Sequence, residues 1–522
     1  VATLPETLPV LLAQAAEREG KRIALVQGEE IIRYRELVSM ALAACRACMA
    51  AGLEPGDRAA IWAPNLSRWV VAALGLQLAG AVLVPLNTRF KGAEAAWILK
   101  RSRAKLLFTV QDFLDINYLE MLKSEELPAL QGKVLLQGSV EGTQDWKQFM
   151  AEGKAVPLAE ARQRMDAIRG DDILDLMFTS GTTGRPKGVL TTHSQNIRVY
   201  DTWSRTVGLE REDRYLVINP FFHSFGYKAG WFSAILRGCS VLPMKTLDVE
   251  AVLSCIETFH VTMLPGPPTL FQSLLAHPGR EQYDLSSLRL AVTGAASVPV
   301  RLVERIRSDL GFDAVLTAYG LTESSGVVTI CDKDDDLETI ATTSGRAMPG
   351  VDIRCVDAQG ETVPPGEQGE LLVQGYNVMQ GYFEEPEETA RAIDSEGWLH
   401  TGDVAVIDEQ GCVRITDRIK DMFIVGGFNC YPAEIENTLC TMEGIERVAV
   451  VGVPDERLGE VAKAFIVASG TAADLTGQQV IDWCRVRMAN YKVPRFVVFV
   501  QELPVNASGK VMKNVLRGNA TA

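Results

Sequence analysis

The chain has 522 residues and a mass of 57.0 kDa, room for a large domain and a small one at roughly 150 residues per folding unit. Hydrophobic residues make up 47% and charged residues 23%, which excludes a mainly disordered, collagenous or coiled-coil chain. With 52 Lys+Arg against 66 Asp+Glu the formal net charge is −14, the wrong sign for a protein that holds nucleic acid by general phosphate attraction.

The ten Cys show no framework spacing. Cys45 and Cys48 form a C-x-x-C with no second pair at zinc spacing, so reduced, buried thiols in a cytoplasmic protein are expected. The stretch VATLPETLP has no basic region followed by an apolar run. The most apolar segment, Val70–Leu86, is shorter than the ~20 residues of a spanning helix. Gln77, Gly80 and Pro85 interrupt it, and it reads as a buried helix turning into a buried strand rather than a stable membrane insertion.

In chain order, apolar spacing predicts a helix over Arg35–Met49 and a strand over Arg58–Trp62. A helix (Leu66–Ala79), a strand (Val82–Pro85), a helix (Ala93–Arg101) and a strand (Lys105–Val110) follow. The alternation returns with a strand at Ile173–Phe178, a helix at Ser194–Trp203, a strand at Val261–Leu264 and a helix at Thr269–Leu275. Strands at Leu288–Thr293 and Asp313–Thr317 complete it. Such alternation is the mark of an α/β fold with a largely parallel sheet. The acidic run Asp332–Asp336 reads as a solvated loop. After about Thr343, short strands and Gly/Pro turns suggest a small β subdomain. The last hundred or so residues carry a helix at Pro432–Thr441, strands at Val448–Val453 and Ala462–Val467, and a helix near Gln479–Met488, enough for a compact α+β domain.

Neither G-x-G-x-x-G nor a Walker A loop is present, and H-E-x-x-H and G-x-S-x-G are missing. What is present is TSGTTGRPKG, Thr179–Gly188, directly after a predicted buried strand. Its three Gly free the backbone to wrap an anion. Thr179, Ser180, Thr182 and Thr183 supply hydroxyl donors, and Lys187 supplies positive charge. This is the equipment a polyphosphate needs.

The segment resembles the phosphate-loop signature of the adenylate-forming superfamily, which includes acyl- and aryl-CoA synthetases, luciferases and peptide-synthetase adenylation domains. Further signatures follow in the expected order: FFHSFG (Phe221–Gly226), TGAA (Thr293–Ala296), YGLTE (Tyr319–Glu323), TGD (Thr401–Asp403), DRIKDMFIVGGFNCYPAEIE (Asp417–Glu436) and NASGK (Asn506–Lys510). The resemblance covers nearly the whole chain. It implies a large N-terminal AMP-binding domain, residues 1–419, built of α/β subdomains plus a small β-barrel-like subdomain. A small mobile α+β C-terminal domain, residues 420–522, would follow.

The implied chemistry is ATP-dependent. A carboxylate attacks the α-phosphate of ATP to give an acyl-adenylate and pyrophosphate, and the thiolate of coenzyme A then displaces AMP. An anion must approach a polyanion, and two unit charges 4 Å apart interact by ~4 kcal/mol at an effective dielectric of ~20, so cations are required. By resemblance Lys510, twelve residues from the last residue, is the main cation of the first step. Ser180, Gly181, Thr182, Thr183, Gly184 and Lys187 cradle phosphates, with Thr179 at the loop's entry. Glu323 ligates Mg²⁺, for which one carboxylate suffices beside phosphate oxygens. Thr322 bonds the α-phosphate. Tyr319 stacks on adenine, with Gly320, Gly294, Ala295 and Ala296 beside it. Asp403 accepts the ribose hydroxyls, and Arg418 assists. His223 lines the carboxylate channel, with a packed, hydrogen-bonded His as the other reading. Lys420 lies at the hinge on which the small domain swings. Gly426 and Gly427 then let the pantetheine arm pass close to the backbone.

The stretches expected to form the acyl pocket, FFHSFGYKAG, LPGPPTL and AVTGAASVP, suggest an apolar cavity of moderate size. Lys228 would either pair with a polar group of the substrate or lie outside. These stretches resemble those of synthetases that activate a steroid-derived bicyclic propanoate, with medium-chain and aryl acids as neighbouring expectations. An enzyme loading a carrier protein and a non-catalytic nucleotide-binding homologue are the alternatives. The partner is a small-molecule carboxylic acid, and the resemblance allows a homodimer.

Overall fold

The computed structural model describes residues 4–179, 186–294, 299–418, 421–425, 428–455, 457–469, 475–488, 490–506 and 510–518, apart from the side chains of Arg418, Phe428 and Asn429. Two large mixed sheets carry the first four hundred residues. One has the strand order 381–382, 187–192, 173–179, 82–85, 58–62, 106–110, 132–137 and 144–145. From 173–179 onward every pairing in it is parallel. The strands 187–192 and 381–382 are antiparallel additions at one edge. In the second sheet, strands 240–243, 214–217, 263–265, 290–294 and 314–319 run parallel through the centre, and short antiparallel strands close both ends.

Parallel strands are covered on both faces, so they read as continuous apolar runs instead of alternating. Val82–Pro85 and Leu106–Val110 are buried at every position. The helix Ser67–Leu78 is equally apolar all round, with eleven of its twelve residues buried, so the Val70–Leu86 segment is a core helix and strand. No described helix is long and apolar enough to cross a membrane. The expected helix Arg35–Met49 spans Tyr34–Ala50, and Cys45 and Cys48 face inward from it. Burial pushes the Cys45 thiol up to about 12, so it is held as a thiol.

A four-stranded antiparallel sheet, Val351–Val356, Gln368–Gly375, Leu399–Ile407 and Val413–Arg418, forms the small β unit. The final segment has its own sheet, in which Ile445–Asp455 pairs along its length with Gly459–Ala468. Its apolar core, from Phe423 to Leu516, is separate from the main core, whose fully buried members end at Val413. The acidic run is less idle than a solvated loop. Asp335 pairs with Arg346 at 2.8 Å, and Asp336 accepts the Thr339 N–H at 2.7 Å as the N-cap of Leu337–Thr342.

Several buried polar residues tie distant segments together. The carboxylate of Glu19, at the end of the helix Leu8–Glu19, meets Arg18 at 2.8 Å and Arg211 at 2.7 Å. Asp213 accepts from Thr262 and Arg289. His193, the first residue of the helix His193–Thr206, is buried, and its Nδ1 accepts the Leu8 N–H at 3.2 Å. That bond needs a neutral ring, and desolvation holds the His193 pKa down at about 4. Against an unfolded value near 6.5, the unfolded chain alone takes the proton between those limits. Stability contributed by His193 is therefore whole above pH ~6.5 and falls as the pH drops to ~4, by about 3 kcal/mol. Chemical denaturation across this range should show that loss, and His193→Gln should flatten it; an unchanged slope in the variant would assign the pH dependence elsewhere.

Candidate active site

Brought together by the fold, the motifs sit at the carboxyl ends of the parallel strands, where open α/β sheets bind ligands. Thr179 ends the strand Ile173–Thr179, Gly294 ends Leu290–Gly294, and Tyr319 ends Ala314–Tyr319. His223 follows the strand Arg214–Val217. Gly294 pairs in register with Ala318, and a Cβ on Gly294 would lie 2.9 Å from the Ala318 oxygen. Gly320 is tighter still: its Cβ would come within 2.2 Å of the Gly326 oxygen, so only glycine fits this turn.

The two strands that flank the phosphate segment pair antiparallel. Strand 173–179 rises from the parallel sheet and Lys187–Thr192 returns beside it, pairing Thr179 with Lys187. Ser180, Gly181, Thr182, Thr183 and Gly184 lie outside the described residues, as do Ala295, Ala296, Lys420, Gly426, Gly427 and the Arg418 side chain. Lys187 forms an ion pair with Glu388. Its ammonium stands 4.9 Å from the centre of the Tyr382 ring, a cation–π contact. The Tyr382 hydroxyl donates to Glu323 Oε1 at 3.0 Å. Burial first, and the Glu323 charge second, push the Tyr382 pKa up. The Lys187 hydrogen bond holds the Glu388 carboxyl below its usual value. Lys187 and Glu323, 136 residues apart in sequence, thus share one short chain of contacts.

Glu323 sits in a short 3-10 turn, Thr322–Ser324, which closes through Ser325 at φ 56°. The Met379 N–H donates to the Glu323 backbone oxygen at 2.8 Å. The segment that follows Met379 joins the hairpin as its edge strand, Gly381–Tyr382. Tyr382 and Glu388, from the run GYFEEPEET, were not singled out from sequence. The chemistry of this segment is legible only when it lies against the hairpin.

Tyr319 and Asp403 form a second pair. The Tyr319 hydroxyl donates to Asp403 Oδ2 at 2.5 Å, and the carboxylate is buried. Asp403 lies in register with Arg418 on the neighbouring strand. Gly402 precedes it at φ 68°, a left-handed conformation suited to glycine.

His223 caps the short helix Ser224–Gly226, its Nδ1 accepting the Phe225 N–H at 3.2 Å. In a neutral ring this bond leaves the proton on Nε2. Protein atoms crowd the imidazole and lower its pKa, although the residue still presents surface to solvent. Both readings made from sequence, a channel wall and a hydrogen-bonded His, are compatible with this geometry. Of the two expectations for Lys228, the structure favours the one in which it lies outside the pocket and meets no substrate group. It is buried and paired with Asp175, so its charge is already met inside the protein. On the last domain, Lys510 is exposed, and its turn closes through Asn506 N–H to Lys510 O at 2.8 Å and Lys510 N–H to Asn506 Oδ1 at 2.9 Å.

Among the described residues, no cluster of three or more His, Cys, Asp or Glu side chains could cage a metal ion. The partly exposed Glu323, linked to Lys187 through Tyr382, instead fits a hard cation that keeps most of its oxygen ligands from phosphate and water.

The AMP-binding enzyme family matches residues 12–383, and the AMP-binding enzyme C-terminal domain matches residues 434–510. The chain is 48% identical over 519 residues, covering 98% of both chains, to the 3-[(3aS,4S,7aS)-7a-methyl-1,5-dioxo-octahydro-1H-inden-4-yl]propanoyl:CoA ligase of Rhodococcus jostii (strain RHA1). The ligase of the same name from Mycobacterium tuberculosis is 47% identical over 513 residues, again 98% of both chains. Among solved structures, ATP-bound MatB from Rhodopseudomonas palustris superposes with a TM-score of 0.87 at 28% identity, covering 98% of this chain and 99% of that one. The anthranilate CoA ligase AuaEII with anthranoyl-AMP gives 0.86 at 27%, covering 99% and 98%. The chain therefore belongs to the AMP-binding enzyme family of adenylate-forming acyl-CoA synthetases and is an AMP-forming acid–CoA ligase.

Proposed function

We propose that the acid activated by this ligase is a bicyclic, steroid-derived propanoate, the methyl-dioxo-octahydroindenyl propanoate named in its two relatives, and that the thiol is coenzyme A. The observation that carries this reading is the near half identity along 98% of the chain to two ligases bearing that one substrate name. The small and aromatic residues around His223 and Gly266 support an acid of moderate bulk.

Within the reaction, Lys187 and the hydroxyls of Thr179, Ser180, Thr182 and Thr183 hold the β- and γ-phosphates, with Gly181 and Gly184 allowing the backbone to close round them. Thr322 bonds the α-phosphate. Glu323 is the residue that would hold Mg²⁺, which supplies charge neutralisation for the leaving pyrophosphate when bound. Tyr319, Gly320, Gly294, Ala295 and Ala296 receive the adenine, and Asp403 with Arg418 the ribose. Tyr319 donates to one oxygen of Asp403, so the two sides of the nucleoside site are linked before a sugar is placed there. His223 stays neutral at pH 7, since its pKa is lowered. It therefore orients the acid as a hydrogen-bonding wall, and a carboxylate already ionised needs no base. Lys510 brings an ammonium to the attacking carboxylate and the α-phosphate, where negative charge accumulates. A hinge at Lys420, between residues 1–419 and 420–522, then turns the small domain. Lys510 leaves, and Gly426 and Gly427 border the path of the thiol.

Pyrophosphate release measured over an acid panel, with coenzyme A present and absent, should give the highest kcat/KM with the bicyclic propanoate. Stronger preference for long linear chains would overturn the substrate assignment. The division of labour predicts that Lys510→Ala lowers ATP–pyrophosphate exchange by on the order of 100-fold or more while thiolysis of a supplied acyl-adenylate stays within a few-fold. An equal fall in both half-reactions would refute it.

A further inference from the structure

Lys228 and Asp175 form an ion pair in the interior of the large domain, with side chains 1% and 0% exposed. The ammonium donates to Asp175 Oδ1 at 3.0 Å and to Thr191 Oγ1 at 2.9 Å, and the Thr191 hydroxyl donates to the same Asp175 oxygen at 2.7 Å. Asn196, on the helix after the hairpin, donates to Thr191 Oγ1 at 2.9 Å.

The placement is specific. Asp175 and Thr191 are cross-strand partners on the two arms of the phosphate hairpin, beside an irregularity in its pairing. Asp175 lies four residues before Thr179, and Thr191 four residues after Lys187. Lys228 comes from a different sheet's connections, five residues after His223. It belongs to a π-helical turn, Tyr227–Phe232. Such turns are rare and recur at functional sites.

Local packing holds that turn in place. The Ser233 hydroxyl donates to the Lys228 backbone oxygen at 2.9 Å. Tyr227 and Trp231 stack at 4.9 Å, and the Tyr227 hydroxyl accepts from Gln77 at 2.7 Å. At Gly226, which leads into the turn, a Cβ would lie 2.2 Å from the Asn219 oxygen. The lysine therefore cannot be relocated without moving the chain that carries His223.

We infer that the Lys228–Asp175–Thr191 cluster is a positioning device, fixing both arms of the phosphate hairpin against the His223 turn so that nucleotide and acid meet in register. A buried ion pair is a poor way to gain stability, because desolvation offsets the attraction, and an apolar pair of similar volume often serves as well. What the cluster supplies is direction. One ammonium with three donors fixes two strands and a turn at once, which an apolar contact, having no directional preference, would leave free to slide. Desolvation lowers the Lys228 pKa and Asp175 opposes that shift, so the buried ammonium depends on its carboxylate partner. None of these three residues is placed in contact with substrate. The inference rests on the phosphate and acid sites assigned above.

Two variants test it: Asp175→Leu combined with Lys228→Met, which leaves no unpaired charge, and Thr191→Val, which keeps the shape and removes the bridging hydroxyl. Each is compared with the wild type by melting temperature, ATP–pyrophosphate exchange with the acid, and single-turnover thiolysis of a supplied acyl-adenylate. The double variant should fold with a melting temperature within a few degrees of wild type, yet lose on the order of 10- to 100-fold in exchange, as misplaced reactants do. The KM for ATP should rise with it. Thr191→Val should lose several-fold in exchange, and thiolysis should stay within about twofold in both variants. Wild-type exchange in either variant that folds, or a parallel fall of exchange and thiolysis, would overturn the inference. If the double variant does not fold, Thr191→Val decides. Wild-type protein that catalyses neither half-reaction would instead remove the assigned function, and this inference with it.

Discussion

A charge without access to water must have its counter-charge within reach, and at Asp175 that requirement governs how the large domain is assembled. The carboxylate lies on the one strand that both completes a parallel sheet and starts the phosphate hairpin. Its cation comes from a turn fed by the other large sheet. Two sheets that could each pack by apolar contact alone are thereby held in one mutual arrangement. The site lies where their strand ends converge.

The same logic recurs nearer the chemistry. Lys187, Tyr382, Glu323 and Glu388 form a row in which positive and negative groups alternate about an aromatic ring. Tyr319 and Asp403 join the last parallel strand of the second large sheet to the small β unit. These polar contacts span segments that are far apart in sequence. Lys187, Tyr382, Tyr319 and Asp403 lie on strands and Glu388 on a helix, so only Glu323 is held by a short turn. A domain so built can keep its cradle fixed while a separate module, with its own core, carries Lys510.

Much of this was legible in the residues. The strands Arg58–Trp62 and Val82–Pro85 match their expected bounds, because buried parallel strands are uninterrupted apolar runs between turn residues. The cofactor-handling motifs were legible for another reason: anion binding demands glycine, hydroxyl and lysine at close spacing, and few other tasks do. The antiparallel edge strand Gly381–Tyr382 was not legible, since two residues carry no periodicity and pair only because the hairpin is there. The π-turn at Tyr227–Phe232 escaped as well. Its apolar content fits an ordinary helix, and the departure comes from packing around Gly230, whose ψ of −108° is not helical.

The residues by themselves determined the order of α/β units, a glycine-hydroxyl-lysine segment of the kind a polyphosphate needs and the type of reaction to be expected, because local pattern and motif chemistry are properties of short segments. Tertiary structure decided which distant groups share a site: that Lys187 meets Glu388, that Tyr382 reaches Glu323, and that Lys228 turns inward to Asp175. Its side chain could equally have faced a substrate or solvent, since a lysine carries no sign of its burial until a carboxylate from another strand is brought beside it.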